Sequence, residues 1–237
     1  MQQEKIVEMF NQIAPTYDRA NRFLSFGVDT SWRKSACRFV LEKFRGDEVA
    51  IVDVACGTGD MIGIWESTAK SLKIAISRIV GIDPSSGMLS VAKRRFPERE
   101  FIEAYANETG LESGRADIVS ISYGIRNVVE REAALREFNR VLKINGYAVV
   151  LEFTKREKGG IITLARDFYL AKILPKIGGF ISKNAAAYEY LPNSIENFLS
   201  KEDFCAELKN AGFQVEVARG YSFDVSTLFV ARKVRNL

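Results

Sequence analysis

Residues 51–60 read Ile-Val-Asp-Val-Ala-Cys-Gly-Thr-Gly-Asp, an apolar run that ends in a glycine turn flanked by carboxylates. A short apolar, β-branched run predicts a buried strand. Gly57 and Gly59 allow a sharp turn that brings the backbone close to a ligand, and a helix is expected to follow. Such a strand-turn-helix unit places backbone N–H groups and the positive end of a helix at the sheet edge where α/β proteins bind nucleotides.

The side chains around this turn decide between two cofactors. A dinucleotide fingerprint has a third glycine three residues after Gly59, where this sequence has Ile62. Asp60 would also repel a pyrophosphate, because two like charges about 4 Å apart at an effective dielectric near 20 repel by roughly 4 kcal/mol. S-adenosylmethionine carries an ammonium, a carboxylate and a sulfonium, so Asp53 or Asp60 suits its ammonium and the glycine amides suit its carboxylate. The alternative is that Asp60 only caps the next helix.

A further carboxylate ends the next predicted strand, residues 79–83. Asp83 stands 24 residues after Gly59, close to the spacing of about 20 residues at which an acid binds a ribose. We therefore expect Asp83 to bind the ribose of the cofactor. Because residues 84–86 open another helix, capping is its alternative role, and both roles can hold together.

The composition predicts one α/β domain rather than two. The chain has 237 residues, of which 47% are apolar and 27% charged, as in ordinary globular proteins. The net charge is only +4 and the basic residues are scattered, which argues against nucleic acid as a partner.

Several residue types are informative by their number or spacing. The sequence has no histidine, which excludes histidine triads and a histidine general base. Cys37, Cys56 and Cys205 form no C-x-x-C pair, so neither a metal site nor a disulfide framework is predicted. The first residues are polar and no charge-free run of about 18 apolar residues occurs, which predicts a cytoplasmic protein without a signal peptide.

Apolar spacing predicts alternating helices and strands along the chain. Before the first strand we expect a helix over 2–13, a loop at Tyr17-Asp18 and a helix over 30–44, with Trp32, Ala36, Phe39 and Val40 inward and Arg33, Lys34 and Lys43 outward. After the glycine turn, helices are predicted near 60–70, 86–95, 130–142 and 200–211, and strands near 100–104, 117–122, 147–153, 213–218 and 226–232. Gly146 is expected to end the helical region that contains 130–142.

Residues 161–181 are unusually apolar but contain four charged residues, Arg166, Asp167, Lys172 and Lys176, and a helix-breaking Pro175. We interpret them as an inserted helical cover that is apolar toward an oily substrate or a membrane surface. An ordinary core helix is the alternative.

Several motifs resemble the ubiquinone/menaquinone biosynthesis C-methyltransferases, the UbiE family, over nearly the whole chain. These motifs are Tyr17-Asp18-Arg19-Ala20-Asn21 with Ser25 and Trp32, residues 52–60, Gly124-Ile125-Arg126-Asn127-Val128, residues 140–143, residues 151–153 and residues 188–195. The resemblance implies a Rossmann-like class I methyltransferase: an α/β fold with a seven-stranded, mostly parallel sheet, one antiparallel edge strand and helices on both faces. It also implies one domain over 1–237, with an N-terminal helical cap over 1–45 and an inserted helical cover over 155–199.

The resemblance further implies transfer of a methyl group from S-adenosylmethionine to a ring carbon of a prenylated hydroquinone. Arg126, Asn127 and Tyr17 are the expected catalytic residues, with Arg126 stabilising a phenolate or holding a water. Its alternative role is a surface or helix-capping salt bridge. The expected cofactor-binding residues are Asp53, Gly57, Thr58, Gly59, Asp60, Asp83, Tyr105, Ala106 and Ser122.

Five positions depart from the family pattern. Asp29 stands where histidine is usual in the family. Near the adenine, the family usually has Asn or Asp followed by Ala, and this sequence has Tyr105 followed by Ala106. Ala20 replaces Met, and Ile144-Asn145 replaces Pro-Gly.

Two other functions stay open from the sequence. One keeps the fold but methylates oxygen or nitrogen of a soluble small molecule, and the other is a methyltransferase-like module that binds nucleic acid. The expected partners are a prenylated quinol and, transiently, the inner face of a membrane. A homodimer is compatible with the sequence.

Overall fold

The computed structural model describes residues 2–155, 185–222 and 224–237. The strands are β1 (Glu48–Val54), β2 (Ala75–Ile82), β3 (Glu100–Ile102), β4 (Ala116–Ser122), β5 (Leu142–Glu152), β6 (Phe213–Tyr221) and β7 (Ser226–Lys233). The α-helices are α1 (Gln2–Ile13), α2 (Tyr17–Leu24), α3 (Val28–Leu41), α4 (Asp60–Leu72), α5 (Ser86–Arg95), α6 (Arg131–Val141), α7 (Ala185–Glu196) and α8 (Lys201–Asn210). Short 3-10 turns cover Glu42–Phe44 and Ile125–Asn127.

The seven strands form one sheet in the order β3-β2-β1-β4-β5-β7-β6. Strands β1 to β5 are parallel, and β7 runs antiparallel to both β5 and β6. The predicted fold class is confirmed, and the antiparallel strand lies one place inside the edge that β6 forms. Strand β1 sits near the middle, so its apolar residues Ile51, Val52 and Val54 are buried between helices on both faces.

Three local predictions are wrong for identifiable reasons. Tyr17 and Asp18 begin α2 instead of a loop, because the backbone break at Pro15 is followed at once by a new helical turn in which Ala20 N donates to Thr16 O at 3.0 Å. Gly146 lies inside β5, where an added Cβ would come within 3.0 Å of Asp117 O. The glycine thus permits close strand contact and does not end a helix.

Arg33 does not lie on the predicted solvent face of its helix, because it is only 6% exposed. The buried positions of α3 are Asp29, Trp32, Arg33, Ala36, Cys37, Val40 and Leu41. This is the i, i+3, i+4, i+7 stripe of an amphipathic helix, with a charged pair inside it. Charge type alone was therefore the wrong guide to the orientation of this side chain.

The predicted cover over 155–199, and its apolar stretch 161–181, fall mostly outside the described residues. Of that range the structure describes Lys155 and residues 185–199, which include α7. Of the helices that the structure describes, none has the length and apolarity needed to span a bilayer.

Two strained turns meet at the carboxyl edge of the sheet. Ala55 after β1 and Tyr123 after β4 both have left-handed backbone, with φ of 50° and 58°. An added Cβ on Gly124 would lie 2.6 Å from the Ala55 Cβ, so the two turns can only approach because residue 124 is glycine. Non-glycine residues with left-handed backbone are frequent at functional sites.

Candidate active site

Two adjoining cavities open beyond the ends of the parallel strands. The sheet-edge cavity lies at the carboxyl ends of β1, β2 and β4, against α1. It brings together ten of the predicted site residues: Tyr17, Asp53, Gly57, Thr58, Asp60, Asp83, Tyr105, Ala106, Ser122 and Asn127. Arg126 lines the second cavity, and Gly59 lines neither. Residues far apart in the chain thus meet at the expected edge of the sheet.

Asp53 is a buried carboxylate with one unused oxygen. It is 1% exposed, and its Oδ1 accepts a hydrogen bond from Ser120 Oγ at 2.6 Å. Its Oδ2 is buried without a hydrogen-bond partner among the described residues. Burial raises the pKa of Asp53 to about 7, and the bond from Ser120 opposes this shift. An unpartnered carboxylate oxygen in the wall of a cavity suits a cationic group on a ligand.

Asp83, directly after β2, orders the glycine turn and keeps room for a ligand. Its Oδ2 accepts from Gly57 N and its Oδ1 from Ser85 N, both at 2.8 Å. Burial raises the pKa of Asp83 to about 6, against the effect of these amide bonds. Each carboxylate oxygen can accept two hydrogen bonds, so both keep capacity for ligand hydroxyls. The helix cap itself is Ser85, whose Oγ accepts from Met88 N at 3.1 Å.

The amides of the two glycines are engaged within the protein. Gly57 N donates to Asp83, and Gly59 N donates to Cys56 O at 2.9 Å. The expectation that these two amides bind the carboxylate of a ligand is therefore not met. Gly59 is needed for packing, because its φ is 83° and an added Cβ would lie 2.9 Å from the ring of Phe96.

Thr58 and Asp60 tie the glycine turn to α2 and α5. Thr58 Oγ1 donates to Asp18 Oδ1 at 2.6 Å, and Arg95 Nη1 donates to Thr58 O at 2.9 Å. Asp60 forms ion pairs with Arg22 and Arg95. Both residues line the sheet-edge cavity, but their side chains already bond to the protein. The N-cap position of α4 is Gly59, and no side chain caps the helix, so Asp60 serves in these ion pairs rather than as a cap.

Arg33 is a site residue that the sequence reasoning missed. Its Nη1 pairs with Asp29, and its Nε lies 3.4 Å from Ser122 Oγ. It lines both cavities, and it is the one Lys or Arg among the described residues of the sheet-edge cavity. A charged i, i+4 pair inside an apolar stripe, Asp29 and Arg33, is the signal that could have revealed it.

The second, apolar cavity has a volume of about 420 Å³. It shares Phe10, Tyr17, Arg33 and Tyr123 with the sheet-edge cavity, so the two spaces adjoin. Its wall is mainly apolar, with Met9, Ile13, Leu24, Phe26, Val28, Trp32, Phe153, Leu191 and Val225. This volume and lining suit one largely apolar organic molecule.

Arg126 is a buried polar group in the wall of the apolar cavity. Its Nη1 donates to Glu152 Oε1 at 2.6 Å and to Tyr123 O at 2.8 Å, and its Nε donates to Ser194 Oγ at 3.2 Å. No described residue accepts a hydrogen bond from its Nη2. The alternative of a surface salt bridge does not fit, because the side chains of Arg126 and Glu152 are 7% and 0% exposed. Burial raises the pKa of Glu152, and the guanidinium opposes that shift.

The other two expected catalytic residues lie beside Arg126. Asn127 lines the sheet-edge cavity, and its Oδ1 accepts from Tyr190 Oη at 3.1 Å. Tyr17 lines both cavities. Burial raises the pKa of Tyr17, against the effect of Arg126, so its phenol is neutral and can donate a hydrogen bond near neutral pH.

The charges of the sheet-edge cavity define the kind of ligand it accepts. Three carboxylates, Asp53, Asp60 and Asp83, line it with Arg33. This arrangement disfavours a pyrophosphate and favours a ligand that carries positive charge beside one carboxylate. Together with the sheet order and the turn after β1, it defines a class I S-adenosylmethionine-dependent methyltransferase.

Comparison with known proteins gives the particular family. Residues 1–233 match the model of the ubiE/COQ5 methyltransferase family. The chain belongs to this family, whose members use S-adenosylmethionine as methyl donor. The family and enzyme class predicted from the sequence motifs are thereby confirmed.

Two relatives illustrate the range of similarity. The chain is 63% identical over 232 residues to the "Ubiquinone/menaquinone biosynthesis C-methyltransferase UbiE" of Campylobacter jejuni subsp. jejuni strain 81-176, covering 98% of this chain and 99% of the relative. It is 37% identical over 229 residues to the "Demethylmenaquinone methyltransferase" of Chlorobaculum tepidum, covering 96% and 92%.

Solved structures with low sequence identity support the fold alone. A SAM-dependent methyltransferase from Aquifex aeolicus superposes with a TM-score of 0.58 at 17% identity, covering 84% of this chain and 89% of that one. The [4+2]-cyclase SpnF superposes with a TM-score of 0.61 at 18% identity, covering 85% and 80%. Since the second is named as a cyclase, the shared fold by itself does not specify the reaction.

Proposed function

We propose that this protein transfers a methyl group from S-adenosylmethionine to a ring carbon of a prenylated hydroquinone. The product would be menaquinol from demethylmenaquinol, the methylated benzoquinol of the ubiquinone pathway, or both. The observation that carries the proposal is the apolar cavity beside the sheet-edge cavity, with Arg126 in its wall. The names of the relatives from Campylobacter jejuni and Chlorobaculum tepidum support it.

The residues of the sheet-edge cavity fit the cofactor group by group. The unpartnered Oδ2 of Asp53 suits the ammonium, and Arg33 is the cation for the carboxylate. Asp83 keeps acceptor capacity for the ribose hydroxyls. Tyr105 and Ala106 line the same cavity and are assigned to the adenine.

When bound, the cofactor supplies a methyl group already activated by a sulfonium. The task of the protein is to align the ring carbon with that methyl group and to favour the phenolate over the phenol. The ring carbon of the phenolate would accept that methyl group as the sulfur–methyl bond breaks, with S-adenosylhomocysteine as the leaving product. The displaced ring proton would pass to water, which restores the aromatic ring.

Arg126 is the group best placed to favour the phenolate. Its guanidinium stays protonated in proteins, so it cannot act as a base. Its Nη1 and Nε are fixed by Glu152, Tyr123 and Ser194, while Nη2 has no acceptor among the described residues and is assigned to a quinol oxygen or to a water that takes up the proton. Asn127 and Tyr17 orient that oxygen or water.

The test of the proposal is a direct assay. The protein is incubated in detergent with methyl-labelled S-adenosylmethionine and each demethylated quinol, and label in the ring methyl of the product is measured. We expect label on carbon and no label on oxygen. Transfer only to oxygen or nitrogen, or only to a water-soluble acceptor without detergent, would favour the alternative of a small-molecule methyltransferase of the same fold.

Asp83→Ala is expected to weaken cofactor binding roughly ten- to hundredfold, because a hydrogen bond to a charged group contributes about 1.5 to 3 kcal/mol. The measurement is calorimetric titration with S-adenosylmethionine. Glu100→Ala is the matched control, since that carboxylate lies exposed on the neighbouring β3 and pairs with Arg78. Unchanged affinity of Asp83→Ala would remove Asp83 from the cofactor site.

We also propose a cytoplasmic location with transient contact at the inner face of a membrane, where a prenylated quinol resides. The argument is chemical, because a long prenyl chain partitions into the bilayer. We further propose the helical cap over 1–45, the inserted cover over 155–199 and a homodimer, all of which rest on the sequence alone.

A further inference from the structure

The corner between α2 and α3 exposes an unusual cluster of large apolar side chains. Phe23, Phe26 and Val28 are 59%, 82% and 41% exposed. The other large apolar residues with comparable exposure, Tyr105, Val129, Ile144, Val234 and Leu237, are scattered along the rest of the described chain. Single exposed apolar residues are ordinary, whereas a cluster marks an interaction surface.

This corner is also the mouth of the apolar cavity. Phe26 and Val28 line that cavity and are at the same time open to solvent, so they stand where it meets the outside. Their backbone is held in place from within: Phe26 N donates to Phe23 O at 3.2 Å, and Val28 N to Ser25 O at 3.0 Å. Phe26 has a left-handed φ of 52°, so the fold maintains a strained backbone that presents this ring outward.

The exposed charged side chains of the two helices that form this corner have one sign. Within α2 and α3 the exposed charged side chains are Arg19, Lys34 and Arg38. Arg38 pairs with Glu42, which leaves Arg19 and Lys34 without an ion-pair partner among the described residues. Asp29 is buried against Arg22 and Arg33, and Asp18 pairs with Arg95. An apolar cluster with exposed basic neighbours is typical of a surface that docks on anionic lipid.

We propose that Phe23, Phe26 and Val28 form the membrane-docking surface of this protein, and that the apolar cavity opens through them toward an anionic bilayer. The exit of a prenyl tail through this opening presupposes the proposed quinol substrate. A cavity of about 420 Å³ accommodates one drug-sized molecule. It therefore holds a quinol ring and the beginning of a prenyl chain, and the rest of the chain leaves through the mouth into the lipid.

The experiment measures vesicle binding of the full chain without substrate or methyl donor. Sedimentation with vesicles of phosphatidylglycerol and phosphatidylcholine is compared with pure phosphatidylcholine. We expect binding to the anionic vesicles that weakens with salt, and a loss of roughly tenfold or more in the Phe23→Ser/Phe26→Ser variant. Ile144→Ser is the matched control. Ile144 is 50% exposed and lies near the amino end of β5, whereas the cavities lie at the carboxyl ends of the parallel strands.

Equal loss in the Ile144 variant, or full vesicle binding by the double variant, would overturn the proposal. The competing occupant is a second copy of the chain, which sedimentation velocity detects. A dimer that the double variant converts to monomers, with vesicle binding unchanged, would assign this corner to self-association instead. Because no substrate is present, failure here leaves the methyl-transfer proposal untouched, and failure of the labelling assay leaves the docking result untouched.

Discussion

Replacing Arg126 with alanine is expected to lower turnover by 10²- to 10³-fold with little change in affinity for S-adenosylmethionine. Removal of one preorganised group that stabilises developing negative charge has effects of about this size. Arg126 lines the apolar cavity and not the sheet-edge cavity, so the cofactor should bind the variant almost normally. The measurements are single-turnover methyl transfer and calorimetric titration with the cofactor.

The pH profile distinguishes how Arg126 acts. If the guanidinium favours the phenolate, activity of Arg126→Ala should recover partly at alkaline pH, where the quinol ionises without help. The variant also leaves the Glu152 carboxyl buried without its cation, and a buried pair that loses one partner destabilises a protein by about 3 to 5 kcal/mol. As pH rises, ionisation of this lone carboxyl would itself unfold the site.

A second variant removes that complication. In Arg126→Ala/Glu152→Gln no buried carboxylate remains to titrate at that position, so alkaline recovery there reports the substrate alone. A low rate that does not change with pH, in a folded double variant, would mean that Arg126 mainly positions the ring. Near-normal activity would exclude it from the mechanism.

The elements near the glycine turn were predictable because each depends on local sequence. The apolar run 51–54, the turn after it and the acid at 83 define two strands whose carboxyl ends must meet. Helix α8 is a similar case, predicted near 200–211 and capped at its start by Ser200, whose Oγ accepts from Asp203 N at 3.1 Å.

The contacts between distant segments were not predictable in the same way. Arg33 was assigned to solvent because of its charge, and only the packing of α3 shows that it faces both cavities. The ion pair between Arg22 and Asp60 joins residues 38 positions apart. No pattern in a single sequence specifies such a partner, since it depends on how α2 folds over the turn.

The largest effect on cofactor binding is expected for Asp53→Asn. If the unpartnered Oδ2 of Asp53 receives the ammonium of the cofactor, truncating one member of this buried charge pair should weaken binding by about 2 to 5 kcal/mol. That corresponds to a loss of roughly 30-fold to several thousandfold at pH 8. Ser120 Oγ can still donate to the amide oxygen of asparagine, so the local packing is kept.

The same variant should stabilise the cofactor-free protein at neutral and alkaline pH. The folded-state pKa of Asp53 is about 7, against an ordinary 3.8. The folded state therefore holds this proton more tightly than the unfolded chain, and its stability falls as pH rises from about 4 to 7. The difference between these two pKa values corresponds to roughly 4 kcal/mol. Denaturant unfolding is measured without cofactor. Between pH 4 and 8, the free energy of unfolding of Asp53→Asn should increase by up to this amount relative to that of the wild type.

Proton release on cofactor binding tests whether the Asp53 carboxyl causes both the change in affinity and the change in stability. The ammonium of the cofactor favours the ionised form of the Asp53 carboxyl. The affinity of the wild type for S-adenosylmethionine should therefore rise with pH up to about 7 and then stay constant. At pH 6, Asp53 should release up to one proton for each cofactor molecule bound. Calorimetry in two buffers of different ionisation enthalpy counts this proton, and Asp53→Asn should abolish it. Asp83, with a pKa of about 6, also titrates here, so Asp83→Asn is measured in parallel. If Asp53→Asn binds as the wild type does and still releases the proton, the ammonium lies elsewhere and the raised pKa of Asp53 is a consequence of burial alone.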